Sequence, residues 1–277
     1  MIVKGDLDAP DRAPSRPAGT RLWASVDVEW TKNYKIKNGN RPFCFSVVYL
    51  AVPETATPVL LGTPPRGGRV RATEAQLEFS WTSVYVEEHE ETTTLVRAAD
   101  AAVRAAFAAA DHVTGHQFTS DLGVLAATGR WASAGPLHAV AAARENWLAR
   151  RTEQLGDRQV VDTRYDTDHV LTGTSRRLVD VCGELRLEVT QPELKGTSMT
   201  ALHRLWLEKR SAEARERISV LNLRHSLSTA LVALRATNRI TWTGLFDVNK
   251  MLATGAHGAF DWLAAPTFTA LLDRKPT

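Results

Sequence analysis

Two cysteines, Cys44 and Cys182, are all that the 277 residues contain. They form no disulfide framework and no metal-type spacing, which suits a reducing compartment and points to a cytoplasmic protein. No apolar run approaches the roughly 20 residues of a membrane helix, and the N-terminus lacks a signal-peptide core. An excess of one charge is missing as well: 34 basic against 31 acidic residues leave a net +3. So small a balance does not by itself indicate a polyanionic partner, and the placement of charge must carry any such case. No internal repeat is present. What is left is a globular chain, 44% hydrophobic and 23% charged, long enough for one large domain or two small ones.

Residues 1–20 include "APDRAPSRPAGT", rich in proline and polar groups, and read as a flexible leader. Residues 21–30 and 43–52 carry the β-branched and aromatic content of strands. Between them "TKNYKIKNGNRP", with Asn38-Gly39 as a turn signal, predicts an antiparallel hairpin with a long basic loop. "VLLG" and "LEFSWTSVYV" supply further strands, and the alanine-rich "TTTLVRAADAAVRAAFAAAD" a helix. "HVTGHQ" reads as a short strand and turn. "TSDLGVLAATGR" reads as a helix starting near Thr119 or Ser120, both good caps. A helix over 135–155 and a strand in "RQVVDTRY" follow, and the chain after 173 is mostly helical. The expected fold is α/β, a mixed central sheet flanked by helices with extra C-terminal helices. Its main domain spans 21–240, with 241–277 a helical extension packed on it. Trp23, Trp147, Trp206 and Trp262 are expected in the core.

The strand segment "SVDVEW" places Asp27 and Glu29 two positions apart, on one face, with Val26 and Val28 on the other. Two carboxylates side by side repel, and burying them unpaired is costly, so a positive charge is expected between them. Asp121 falls in the first turn of a helix after a strand. On a late helix Asn222, His225 and Thr229 share one side, while Leu223, Leu227, Ala230 and Leu234 form the opposite apolar stripe. His225 is therefore expected to point away from the main packing face. In the basic loop Lys32, Lys35, Lys37 and Arg41 interleave with Tyr34 and Phe43, a composition suited to tracking a phosphate backbone and stacking a base. Asp162 and Asp180 read as structural or surface acids. Asp166 and Asp168 lie in a loop whose sequence gives them no direction.

Taken in order, Asp-x-Glu at 27–29, "GHQFTSD" ending at Asp121, "VVDT" with Asp162-Thr163, and "LNLRHSLSTAL" resemble the DEDD superfamily of 3′–5′ exonucleases across about residues 22–240. That resemblance implies a ribonuclease H-like fold. It also implies a two-metal mechanism using Mg²⁺ or Mn²⁺, and hydrolysis of phosphodiester bonds at single-stranded DNA or RNA 3′ ends. Asp27, Glu29 and Asp121 would hold metal, and His225 stands where the family has its last Asp, as a ligand or a base. Gln117, in place of the family's Asn, and Asn222 would contact nucleic acid together with Lys32, Tyr34, Lys35, Lys37 and Arg41. Leu221 stands where one branch has a catalytic Tyr. If His225 instead matched the other branch's His, the last Asp would fall at Ala230, which binds no metal. These departures leave a second expectation, a catalytically degenerate module that binds nucleic acid or a protein partner.

Overall fold

The computed structural model describes residues 1–31, 39–62 and 75–273. In chain order the first half contains β1 (Ile2–Gly5), β2 (Thr20–Thr31), β3 (Arg41–Pro53), β4 (Val59–Leu61), β5 (Phe79–Tyr85), α1 (Thr92–Ala109), β6 (His112–Gly115), α2 (Phe118–Trp131) and α3 (His138–Ala149). The second half contains β7 (Val160–Asp162), α4 (Leu178–Glu184), β8 (Leu187–Glu188), α5 (Met199–Lys209), α6 (Ala212–Ala236), β9 (Ile240–Trp242), β10 (Phe246–Asp247), α7 (Val248–Gly255) and α8 (Pro266–Leu272).

A six-stranded sheet runs β1-β5-β3-β2-β6-β7. Its first four strands pair antiparallel, whereas β6 and β7 run parallel to β2. The predicted hairpin is thus present as β2 and β3, although Asn38 lies outside the described residues. Alternation along β2 sorts its side chains between two cores. Leu22, Ala24, Val26 and Val28 pack with α1, α2 and α3, and Trp23 packs with α6. In α1 the buried positions Leu95, Val96, Ala99, Ala102, Val103 and Ala106 recur with the helical period, and their small size brings the helix close to the sheet.

Residues 1–20 do not behave as a flexible leader throughout: Ile2–Gly5 pairs with Thr82–Tyr85 and extends the sheet at its edge. The expected "VLLG" strand forms, but it pairs with β9 rather than with the central sheet. Helix α6 also departs from expectation, because beyond its exposed first turn it is enclosed along most of its length. Asn222 and Thr229 are as completely buried as Leu223 and Leu227, since the helix lies between the sheet and the elements of the C-terminal segment. Residues of that segment, including Met251, Leu252, Trp262 and Phe268, share one apolar cluster with α6. Of the four tryptophans assigned to the core, Trp23, Trp206 and Trp262 are buried, and Trp147 is half-buried. No described helix is long and apolar enough to cross a membrane.

Candidate metal centre

Asp27 and Glu29 sit toward the carboxyl end of β2, an interior strand. The β2–β3 ladder slips between Glu29 and Trp30, a bulge that ends regular pairing just beyond the two acids. Above them α6 comes close to β3 because the contact is made by small polar side chains, Ser46 Oγ lying 2.7 Å from Ser226 Oγ. One turn earlier, Asn222 Nδ2 donates to Asp27 Oδ2 at 2.6 Å and to its main-chain oxygen at 3.2 Å. Asn222 is fully buried, so it cannot contact nucleic acid as expected; it fixes Asp27 instead.

His225, three residues along α6, turns its ring into the same space. Its Nδ1 lies 3.0 Å from Glu29 Oε1 and 3.7 Å from Asp27 Oδ2. Among the described residues, Asp27, Glu29 and His225 form one group whose ligand atoms all lie within 4.8 Å of one another. Asp121 stands beside this trio without joining it. It is 3% exposed, and its carboxyl is hydrogen-bonded by the main-chain N–H of Val28, yet its Oδ2 has no partner. A buried carboxylate oxygen left unpaired is costly and marks a place for a cation, a proton or water.

The electrostatics follow from this crowding. Burial disfavours a charged imidazole at His225, but hydrogen bonds to Asp27 and Glu29 and their negative charge outweigh it, and the pKa is pushed up to about 10. Glu29 is raised by burial and then by the charge of Asp27, against the opposing effect of His225. Asp121 lies well above the usual carboxylate range, from burial and then from the charges of Asp27, Glu29 and Asp162. The group that faces both Asp27 and Glu29, where the sequence calls for a positive charge, is the His225 imidazole, whose affinity for a proton the two acids raise.

Helix α2, which carries Asp121, starts at Phe118 and is not capped by Thr119 or Ser120. Gln117 adopts a left-handed conformation (φ 60°), and the free N–H groups are satisfied from the neighbouring strand. Asp162 Oδ1 accepts from Gln117 N and Oδ2 from Phe118 N, both at 2.9 Å. Trp147 Nε1 and Arg164 N also donate to this carboxylate, at 2.7 and 3.0 Å. Asp162 is therefore structural, as read from sequence. Gly115 permits the tight entry to α2, since a Cβ there would lie 2.7 Å from the Phe118 side chain. Asp166 does not approach the centre: Arg150 holds it at 2.8 Å, with Arg158 and Arg151 at 3.3 and 3.4 Å. Asp168 pairs with Arg176, and Asp180 accepts from Ser175 Oγ.

Two groups near the centre, His116 and Gln191, and one at the far end of α2, Trp131, carry no motif of their own in the sequence. His116 is close enough for Asp27 and His225 to act on it; burial lowers its pKa to about 4, so it is neutral. Because Arg176 O accepts only, His116 Nε2 carries the hydrogen toward it (2.9 Å), and Nδ1 accepts from Thr163 Oγ1 at 2.9 Å. Gln191 places its amide nitrogen 3.0 Å from His225 Nε2. Trp131, at the end of α2, is 60% exposed, and the Arg41 guanidinium lies over its ring at 3.7 Å. Only the aromatic and charged composition of these segments marks them in the sequence, and such composition is common on protein surfaces. Lys32, Tyr34, Lys35 and Lys37 lie outside the described residues. Gln117 is partly exposed and donates to Ser120 Oγ at 2.8 Å, and Phe43 is buried, so it cannot stack a base.

The molecule is, in class, an α/β protein with an acid–imidazole centre beside the carboxyl ends of parallel strands. No family model and no curated protein matches the chain.

Proposed function

We propose that the protein is a metal-dependent 3′–5′ exonuclease of ribonuclease H-like fold, hydrolysing phosphodiester bonds at single-stranded DNA or RNA ends. The observation that carries this reading is the convergence of Asp27 and Glu29 on β2 with His225, 196 residues from Glu29, beside the unpartnered Asp121 oxygen. Three carboxylates and one imidazole suit Mg²⁺ or Mn²⁺, the imidazole favouring Mn²⁺. The buried Asp121 Oδ2 is the atom that a bound cation would satisfy, so the residues present fit the group. The mixed sheet, with antiparallel strands on one side of β2 and parallel strands on the other, is compatible with the fold that the resemblance implies.

When bound, divalent ions would supply Lewis acidity at the phosphoryl oxygens and an activated water. Asp27, Glu29, Asp121 and His225 would hold them. Asn222 keeps the Asp27 carboxylate in place. His225 directs Nδ1 at Glu29, and to serve as a ligand it would release any proton held there to solvent. Arg41 and Trp131 form a cationic and aromatic surface at the far end of α2, about 15 Å along the helix from Asp121 at ~1.5 Å per residue, a distance that suits a strand leading away from the centre.

The test is an end-labelled single-strand ladder with Mg²⁺, Mn²⁺ or EDTA. Shortening from the 3′ end with metal, lost with EDTA and in Asp27→Asn, supports the reading; an intact ladder with both ions overturns it. One observation favours a second reading, a nuclease-fold binding module: His225 already faces both Asp27 and Glu29 without any ion. Retention of the labelled strand without cleavage, equal in EDTA, would select it.

A further inference from the structure

His225 has a second nitrogen, and its surroundings are built. Gln191 faces Nε2 at 3.0 Å from the turn before residues 192–194. Two residues on, Glu193 makes a bidentate pair with Arg224, the residue immediately before His225: Nη1 to Oε2 is 2.6 Å and Nη2 to Oε1 is 2.8 Å. Both side chains are 0% exposed. The C-terminal segment closes around them. Trp262 Nε1 donates to Glu193 Oε1 at 2.9 Å, and Asn249 Oδ1 accepts from Arg224 Nε at 2.7 Å. Arg217 donates to the main-chain oxygen of Glu193. A buried ion pair is a poor source of stability compared with apolar packing, so one this fully bonded is better explained by what it holds in register. What it ties together is the backbone beside Gln191 and the backbone beside His225.

We propose that Gln191 is the positioning residue of His225, and that the Glu193–Arg224 pair, closed by residues of the C-terminal segment, holds its amide against Nε2 so that Nδ1 faces Asp27 and Glu29. A half turn of the amide exchanges its N–H for its oxygen. With the oxygen turned in, Gln191 accepts from Nε2–H and favours the neutral tautomer that carries its one hydrogen there, the form whose Nδ1 lone pair is free to coordinate once the Nδ1 proton has gone to solvent. This is the role that outer partners of metal-bound histidines play. The inference rests on the reading of Asp27, Glu29 and His225 as metal ligands.

The experiment is Mn²⁺ binding to the full chain, followed by the electron paramagnetic resonance signal of free Mn²⁺, with thermal unfolding run on each variant. Gln191→Met keeps the length and removes both donor and acceptor. It is expected to weaken Mn²⁺ binding about 10-fold, within the range found for loss of an outer partner, without lowering the unfolding temperature. His225→Ala should weaken binding at least as much, and the double variant no further, because Gln191 acts only through the ring. Unchanged binding in Gln191→Met, or the same loss in the His225→Ala background, overturns the inference while leaving the metal reading intact. Wild-type binding that is absent, or that survives Asp27→Asn unchanged, overturns both.

Discussion

Replacing His225 by Gln removes the only cation between Asp27 and Glu29 among the described residues while keeping a polar side chain of similar reach. The folded-state pKa of about 10 exceeds the ordinary 6.5. A group raised in this way stabilises the fold fully below its unfolded pKa and loses that contribution as pH rises through the folded one. Integrating the difference gives an upper limit of about 4 kcal/mol at pH 7, falling to about 1 kcal/mol at pH 9.5. Coulomb attraction across 3.0 and 3.7 Å is of order 5 kcal/mol per contact at an effective dielectric constant near 20, before the cost of desolvating the groups is subtracted. Glu29 will take up a proton more readily once the imidazolium is gone, so the expected loss at pH 7 is about 2–4 kcal/mol. The assay is urea unfolding of wild type and His225→Gln in EDTA at pH 7 and pH 9.5. The two proteins should differ by that amount at pH 7 and converge at pH 9.5. A gap below about 1 kcal/mol at pH 7, or one that does not narrow, would refute the assignment of the buried positive charge to His225.

Four further variants have expected outcomes. Asp121→Asn should abolish metal-dependent hydrolysis yet leave the metal-free protein as stable as wild type or more so at pH 8. An acid whose pKa is raised by folding loses stability as pH climbs, and the amide removes that loss; unfolding curves and the strand ladder on the same preparation measure both. Trp131→Ala should weaken single-strand binding about 10-fold through lost stacking, and Arg41→Ala should reduce the slope of log affinity against log salt by about 1, both read by fluorescence anisotropy. Asp162→Ala strands the N–H groups of Gln117, Phe118, Arg164 and Trp147 and should cost about 2–4 kcal/mol in urea unfolding.

Local periodicity made much of the architecture legible in the sequence. The two-residue spacing put Asp27 and Glu29 on one face of β2, and the alanine-rich run formed α1 over Thr92–Ala109. The apolar and β-branched runs around the basic loop became an antiparallel pair, as their content and the turn signal imply. Asp121 in a first helical turn and His225 on a late helix are likewise legible from local pattern. What periodicity does not encode is which distant group fills a given space. Ile2–Gly5, only four residues, becomes a strand because β5 offers an open edge, not because of a pattern of its own. Thr119 and Ser120 looked like caps by local preference, but Asp162, on another strand, reaches the N–H groups first. Asn222 shares a helical-wheel side with His225 and is buried because α6 is enclosed between the sheet and the C-terminal segment at that point, which turns its amide onto Asp27. The charge between the two acids was demanded by the sequence on electrostatic grounds alone. That the His225 ring faces both acids, with Gln191 behind it, was decided by the tertiary packing of α6 over β2, since two points 196 residues apart meet only when the core between them has formed.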